Sequence, residues 1–138
     1  MKTKTWIKLT ITLAIPLGLA VATPAHAGPL PPASTQKDVS YANTAKQIFD
    51  HSCTKCHSGD RPKAHLKLDS LAGALKGSED GKVVIPGDSA KSQMILAVSH
   101  ATKDPRQWMP PPHNRAGIKP LTPEQIGLLR AWIDQGAK

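Results

Sequence analysis

Five consecutive residues, Cys53-Thr54-Lys55-Cys56-His57, constrain this chain more than any other feature, and they contain both cysteines of its 138 residues. Two thiols separated by two residues near a helix end reach the two vinyl groups along one edge of a porphyrin. The adjacent histidine then projects its imidazole under the ring towards the iron, so the spacing is that of a c-type haem attachment. A structural disulfide would use both cysteines but leave His57 without a role. A thioredoxin-like redox pair expects a βαβ context, which the rest of the sequence does not offer. A zinc site needs four ligands, and the remaining histidines miss the usual finger spacing. The motif therefore predicts one haem c per chain, with Cys53 and Cys56 as covalent partners and His57 on the iron.

Haem c is attached outside the cytoplasm, and the first residues carry a matching address. Lys2, Lys4 and Lys8 form a basic start, Leu9 to Val21 is free of charge, and Ala25-His26-Ala27 has the small-x-small pattern of a cleavage site. This is the layout of a secretory signal peptide over residues 1–27. A retained anchor is the alternative. The apolar run is short for a span of about 20 residues, and Pro16 and Gly18 interrupt it. Cleavage removes three of the basic residues and no acidic one, so the net charge falls from +8 to +5. Two haem propionates would lower that to about +3, a modest excess that does not indicate nucleic-acid binding. Only four aromatic residues, Tyr41, Phe49, Trp108 and Trp132, follow residue 27. That is a weak supply for the core of so small a domain, and a buried porphyrin would fill the deficit.

The remaining sequence reads as all-α, with helices packed around the haem and joined by long loops. Residues 28–39 form a Pro-rich leader, expected to be extended and poorly ordered because its prolines withdraw backbone donors. Residues 40–138 form the domain. A first helix is expected from Ser40 or Thr44 into the cysteine motif, with Tyr41, Ala45, Ile48 and Phe49 on its apolar stripe. A start at Thr44 would allow a capping box with Gln47. Ser58 to Gly87 reads as loop with one or two helical turns. Asp88 or Ser89 could cap a second helix running to about His100, with Met94, Ile95 and Val98 on its apolar side. Lys103 to Lys119 is another proline-rich loop. The last helix is the best specified: Thr122 and Gln125 make a capping box, Pro123 starts the helix, Leu121 and Ile126 form a staple, and Gly136 ends it.

The second axial ligand must come from elsewhere in the chain. Met109 leads, in Trp108-Met109-Pro110-Pro111-Pro112. A thioether is a weak ligand and stays on iron only if the chain holds it there; the following prolines stiffen the segment. Met94 fits core filler better. His113 and His100 compete for the position, whereas His51 and His65 read as surface or supporting groups. Trp108 could pack on the porphyrin, donate its indole N–H to a propionate, or simply pack within its loop.

Phe49 four residues before Cys53, the CxxCH motif, the Met-Pro-Pro loop and a terminal helix with Trp132 together resemble class I cytochromes c. Finer features resemble the short planctomycete-type cytochrome c domain over about residues 40–138: Cys-His-Ser, Leu66-Lys67-Leu68-Asp69-Ser70, Val84-Ile85-Pro86-Gly87, Met109-Pro110-Pro111 and Trp132-Ile133 before Gly136-Ala137. The resemblance implies the cytochrome c fold, with first and last helices crossing beside the haem and Phe49 meeting Trp132 there. It implies His57 and Met109 as axial ligands. A haem so ligated has no open position for a substrate, so the expected function is one-electron transfer rather than catalysis. The expected partners are periplasmic redox proteins or membrane electron-transfer complexes, with no nucleic acid and no small-molecule substrate. Lys46, Lys55, Lys63 and Lys67 could steer an acidic partner or simply solvate their face. A haem sensor with a displaceable distal ligand is the alternative, and a peroxidase-like site is a third.

Overall fold

The computed structural model describes residues 29–138; the expected signal peptide, residues 1–27, lies outside the described residues. The described chain is helical, and its one β-type pairing is an isolated antiparallel bridge between Ser78 and Gly81. A π-helical turn, Tyr41–Ala45, leads directly into α1, Lys46–Ser52. Then follow α2, Leu71–Lys76; α3, Gln93–Val98; and α4, Pro123–Asp134, with short 3-10 turns at Lys63–His65 and Pro105–Gln107. No described helix is long and apolar enough to cross a membrane.

The earlier of the two expected starts for the first helix is the observed one. Ser40 is the N-cap, and its capping partner is Asn43: the Ser40 hydroxyl accepts from Asn43 N–H at 3.2 Å, and Asn43 Oδ1 accepts from Ser40 N–H at 2.8 Å. The Thr44–Gln47 box does not form; Gln47 donates its side-chain amide back to the Asn43 carbonyl. The opening turn is one residue wider than an α-turn, because Ala45 N–H donates to the Ser40 carbonyl. Tyr41 N–H is drawn off to the Lys138 carbonyl, which also accepts from the Trp132 indole at 3.1 Å.

The two ends of the domain therefore meet. Phe49 and Trp132, both fully buried, contact edge to face with ring centroids 5.8 Å apart. Tyr41 closes the cluster at 6.1 Å from Phe49 and 6.3 Å from Trp132. Tilted and edge-on aromatic pairs align the positive ring edge with a negative face. Three of the four aromatics thus occupy one junction, with Ile95, Leu129 and Ile133 buried in the same core.

α4 follows its sequence signals residue by residue. Thr122 accepts from Gln125 N–H at 3.3 Å, and the Gln125 carboxamide oxygen accepts from Thr122 N–H at 2.9 Å. Leu121 and Ile126 are both buried, as a staple requires. At the other end Gly136 takes φ +97°. Its N–H donates to the Ile133 carbonyl and Ala137 N–H to the Trp132 carbonyl, both at 2.9 Å. These are the paired bonds of a Schellman cap.

Two expectations need correction. The second helix starts at Gln93, not at Asp88 or Ser89, and ends at Val98. Asp88 caps a separate turn through Lys91 N–H, while the buried Ser89 is held by Asp134 through its N–H (2.8 Å) and hydroxyl (3.0 Å). The leader is extended as expected, but it is anchored rather than loose. Ser34 N–H donates to the Gly127 carbonyl at 2.9 Å, Arg130 to the Pro31 carbonyl, and Gln135 to the Gln36 carbonyl at 2.8 Å. Gly127 makes the close approach possible: a Cβ there would meet the Pro32 carbonyl oxygen at 2.8 Å.

Gly127→Ala should on helix propensity alone stabilise α4 by roughly 1 kcal/mol. We expect the reverse, a net loss of about 1–2 kcal/mol in denaturant unfolding together with faster proteolysis of residues 29–37, because the added methyl displaces the leader.

Candidate haem-binding site

α1 delivers the cysteine motif into a cleft. The helix ends at Cys53, whose N–H donates to the Phe49 carbonyl at 2.8 Å. The following turn is closed by Cys56 N–H and His57 N–H, which both donate to the Cys53 carbonyl, at 3.1 and 3.0 Å. The cleft has a volume of about 680 Å³, within the range of cofactor pockets. Cys53, Cys56 and His57 border it, together with apolar side chains that include Phe49, Leu68, Val83, Val98 and Leu129.

The His57 imidazole is oriented from outside the cleft. Its Nδ1 lies 3.1 Å from the Lys63 carbonyl oxygen. A carbonyl only accepts, so Nδ1 carries the proton and Nε2 keeps its lone pair. A metal-binding histidine is usually fixed in this way, by a partner on its other nitrogen. The carbonyl is itself held in place, since Lys63 N–H donates to the Cys56 carbonyl at 2.9 Å. Burial pushes the imidazole below its usual range, and the Lys63 charge adds to this; hydrogen bonds to the Lys63 and Leu66 backbone oppose them. The balance favours the neutral form that a metal requires.

Both cysteines are free thiols, not a disulfide. Burial, followed by the neighbouring Cys56, pushes the Cys53 thiol up to about 12. A thiol so protonated is a poor redox nucleophile, since that role needs thiolate. An uncharged thioether is compatible with the same surroundings. Among the described residues, no three His, Cys, Asp or Glu side chains gather as a metal site.

Met109 borders the same cleft as His57. Its N–H donates to the Ala97 carbonyl at 3.0 Å, which ties the proline strap to the end of α3. Behind the strap stands Asn114, which the sequence reading passed over. Its side-chain amide donates to the carbonyls of Pro111 (3.0 Å) and Ile118 (2.9 Å), and its oxygen accepts from Ile118 N–H at 2.8 Å. The only sequence signal for it was an Asn at the start of a turn containing Gly117.

The competing histidines are elsewhere. His113 is exposed and His100 does not border the cleft. His100 stacks on Trp108, rings 4.9 Å apart and 5° from parallel, and the Trp108 indole donates to the Thr102 carbonyl at 3.3 Å. Of the three roles open to Trp108, packing within its loop is the one observed. Met94 is buried on α3, as expected of core filler, and also borders the cleft. His51 is exposed, and the exposed His65 pairs with Glu79 at 3.0 Å.

A helical domain with a CxxCH turn in the wall of an apolar cleft has the makings of a class that the family match supports: the c-type cytochrome domain, a haem-binding electron carrier. Residues 53–113 match the model of the family described as planctomycete cytochrome C, and this domain is of that planctomycete type. The match runs from the first cysteine to just past the Met-Pro-Pro strap, narrower than the resemblance drawn over residues 40–138. α1 and α4 fall outside it, and their joining through Phe49 and Trp132 is a finding of the structure. No curated protein matches the chain.

Asn114→Ala removes three hydrogen bonds that hold the strap. It should cost roughly 1–3 kcal/mol in unfolding free energy and make residues 110–118 the first site of proteolysis. Cleavage no faster than in the parent protein would show that the prolines alone hold the strap.

Proposed function

We propose that this chain is an exported, soluble monohaem c-type cytochrome that carries single electrons between periplasmic redox partners. Thioethers at Cys53 and Cys56 attach the haem, and His57 and Met109 are the axial ligands. One observation carries this reading: all four residues border a single apolar cleft, while His100 and His113 do not. The bound haem supplies the one-electron iron couple. The chain supplies everything else. Lys63 orients His57 through its carbonyl, Ala97 holds the Met109 backbone, and the apolar lining excludes water. A methionine ligand raises the reduction potential relative to a second histidine.

The partners would be periplasmic redox proteins or membrane electron-transfer complexes. Lys55, Lys63 and Lys67 are exposed near the motif and suit an acidic docking surface, whereas Lys46 is engaged by Asp50 on its own helix. Export rests on the signal-peptide pattern of residues 1–27.

The optical spectrum of the ferric holoprotein tests the ligand set. We expect the near-red absorption of sulfur–iron ligation, its loss in Met109→Ala, and a fall in reduction potential with it. An unchanged six-coordinate spectrum in that variant would remove Met109 from the iron and favour a histidine. Absence of haem from the denatured protein would overturn the reading as a whole.

A further inference from the structure

A haem brings two carboxylates as well as an apolar ring, and carboxylates are costly to bury without cations or donors. The thioethers at Cys53 and Cys56 take the vinyl-bearing positions of the porphyrin, so the propionates must emerge elsewhere along the cleft. Away from the cysteine turn, the polar lining is confined to a few side chains. Asn114 is occupied by its own loop through three hydrogen bonds. Ser78 is likewise bonded to Gly81 and Asp80 within its turn.

Asp80, Lys82, Gln93, Gln107 and Arg106 remain; Gln93 and Gln107 are bonded to each other, and Lys82 and Arg106 lie in the segments beside them. Met94 N–H donates to the Val83 carbonyl at 2.9 Å, which sets Gln93 beside Lys82 in adjoining segments. The Gln93 amide donates to the Gln107 carboxamide oxygen at 3.2 Å. This fixes the oxygen of Gln107 on Gln93; the Gln107 amide nitrogen makes no hydrogen bond among the described residues. Arg106 is gripped on one side by Asp104, which accepts from Nε at 3.0 and 3.1 Å and from one terminal nitrogen at 2.8 Å. Its other terminal nitrogen has no partner among the described residues. Lys82 uses one N–H on the Leu75 carbonyl at 2.6 Å and has two left.

We propose that Arg106, Gln107 and Lys82 form the seat of the two haem propionates, with Asp104 and Gln93 as positioning residues that aim the donors. The assignment rests on the haem reading above. Two cations border the cleft for two carboxylates, and Asp104 holds Nε and one terminal nitrogen of the otherwise exposed guanidinium, which leaves the other terminal nitrogen for a propionate. The charged groups around the seat are Asp80, Lys82, Asp104 and Arg106. Asp80 opposes propionate ionisation, and the two cations favour it.

The test uses the haem-loaded protein and follows its reduction potential against pH. Removing a cation beside an ionised propionate should lower the potential and move the redox-linked pH transition upward. A change of about one pH unit is expected for Arg106→Gln, the lower end for loss of an adjacent opposite charge. Lys82→Gln should act in the same direction, Arg106→Lys should restore most of the change, and the propionate bending band in resonance Raman should shift in Arg106→Gln. Lys119→Gln removes an exposed lysine that does not border the cleft and should leave both readouts in place. If haem is attached but the transition and Raman band are unmoved in both cleft variants, or move equally in Lys119→Gln, the seat is wrong. If the parent chain carries no covalent haem, the functional reading fails instead.

Discussion

The edge-on contact between Phe49 and Trp132 is the constraint on which the rest of this structure depends. It joins the helix that presents the cysteines to the helix that ends the domain, 83 positions further along. Because so few other large side chains are present, the contact must serve as both core and hinge pin. Tyr41 reinforces it from the first turn, and the Lys138 carbonyl ties that turn to the Trp132 indole. Once α1 is fixed, Cys53 stands at its end and His57 follows from the turn. The position of the cysteine turn is therefore set by aromatic packing several residues away from it.

The His57 environment shows how little of the metal chemistry is left to chance. The imidazole is pushed towards its neutral form by burial, and it is turned by the carbonyl of a residue whose N–H donates to the motif. On the facing strap, the thioether sits on a segment with its backbone anchored to α3 and its tail pinned by Asn114. The two proposed ligands are thus supported differently: His57 by a single well-placed bond, Met109 by restricting the chain on either side of it.

What could be read in the sequence follows the range of the interactions involved. The motif turn and the caps of α4 are local, decided by residues within a few positions of one another, and these appear as expected. The π-turn at Tyr41 was not legible, for its first residue is tied to Lys138, at the far end of the domain. Nor was the late start of α3, since Ser89 is captured by Asp134 from α4 instead of opening a helix. Lys63 offered no sign of its part, for it acts through a carbonyl that every residue has. Gly127 was the most misleading of these: in a helix it looks like a weakness, and its purpose appears only with the leader beside it.

That leader also divides the surface of α4. The leader bonds to α4 at Gly127 and Arg130 and to its C-cap Gln135; at 100° per residue these positions lie 100° or more around the axis from 129, and Leu129 is the α4 residue that borders the cleft. The leader therefore braces α4 on the side turned away from Leu129. One helix thus carries two loads: its Leu129 side serves as cleft wall, and the side away from it takes a stretch of chain that local sequence signals left unassigned.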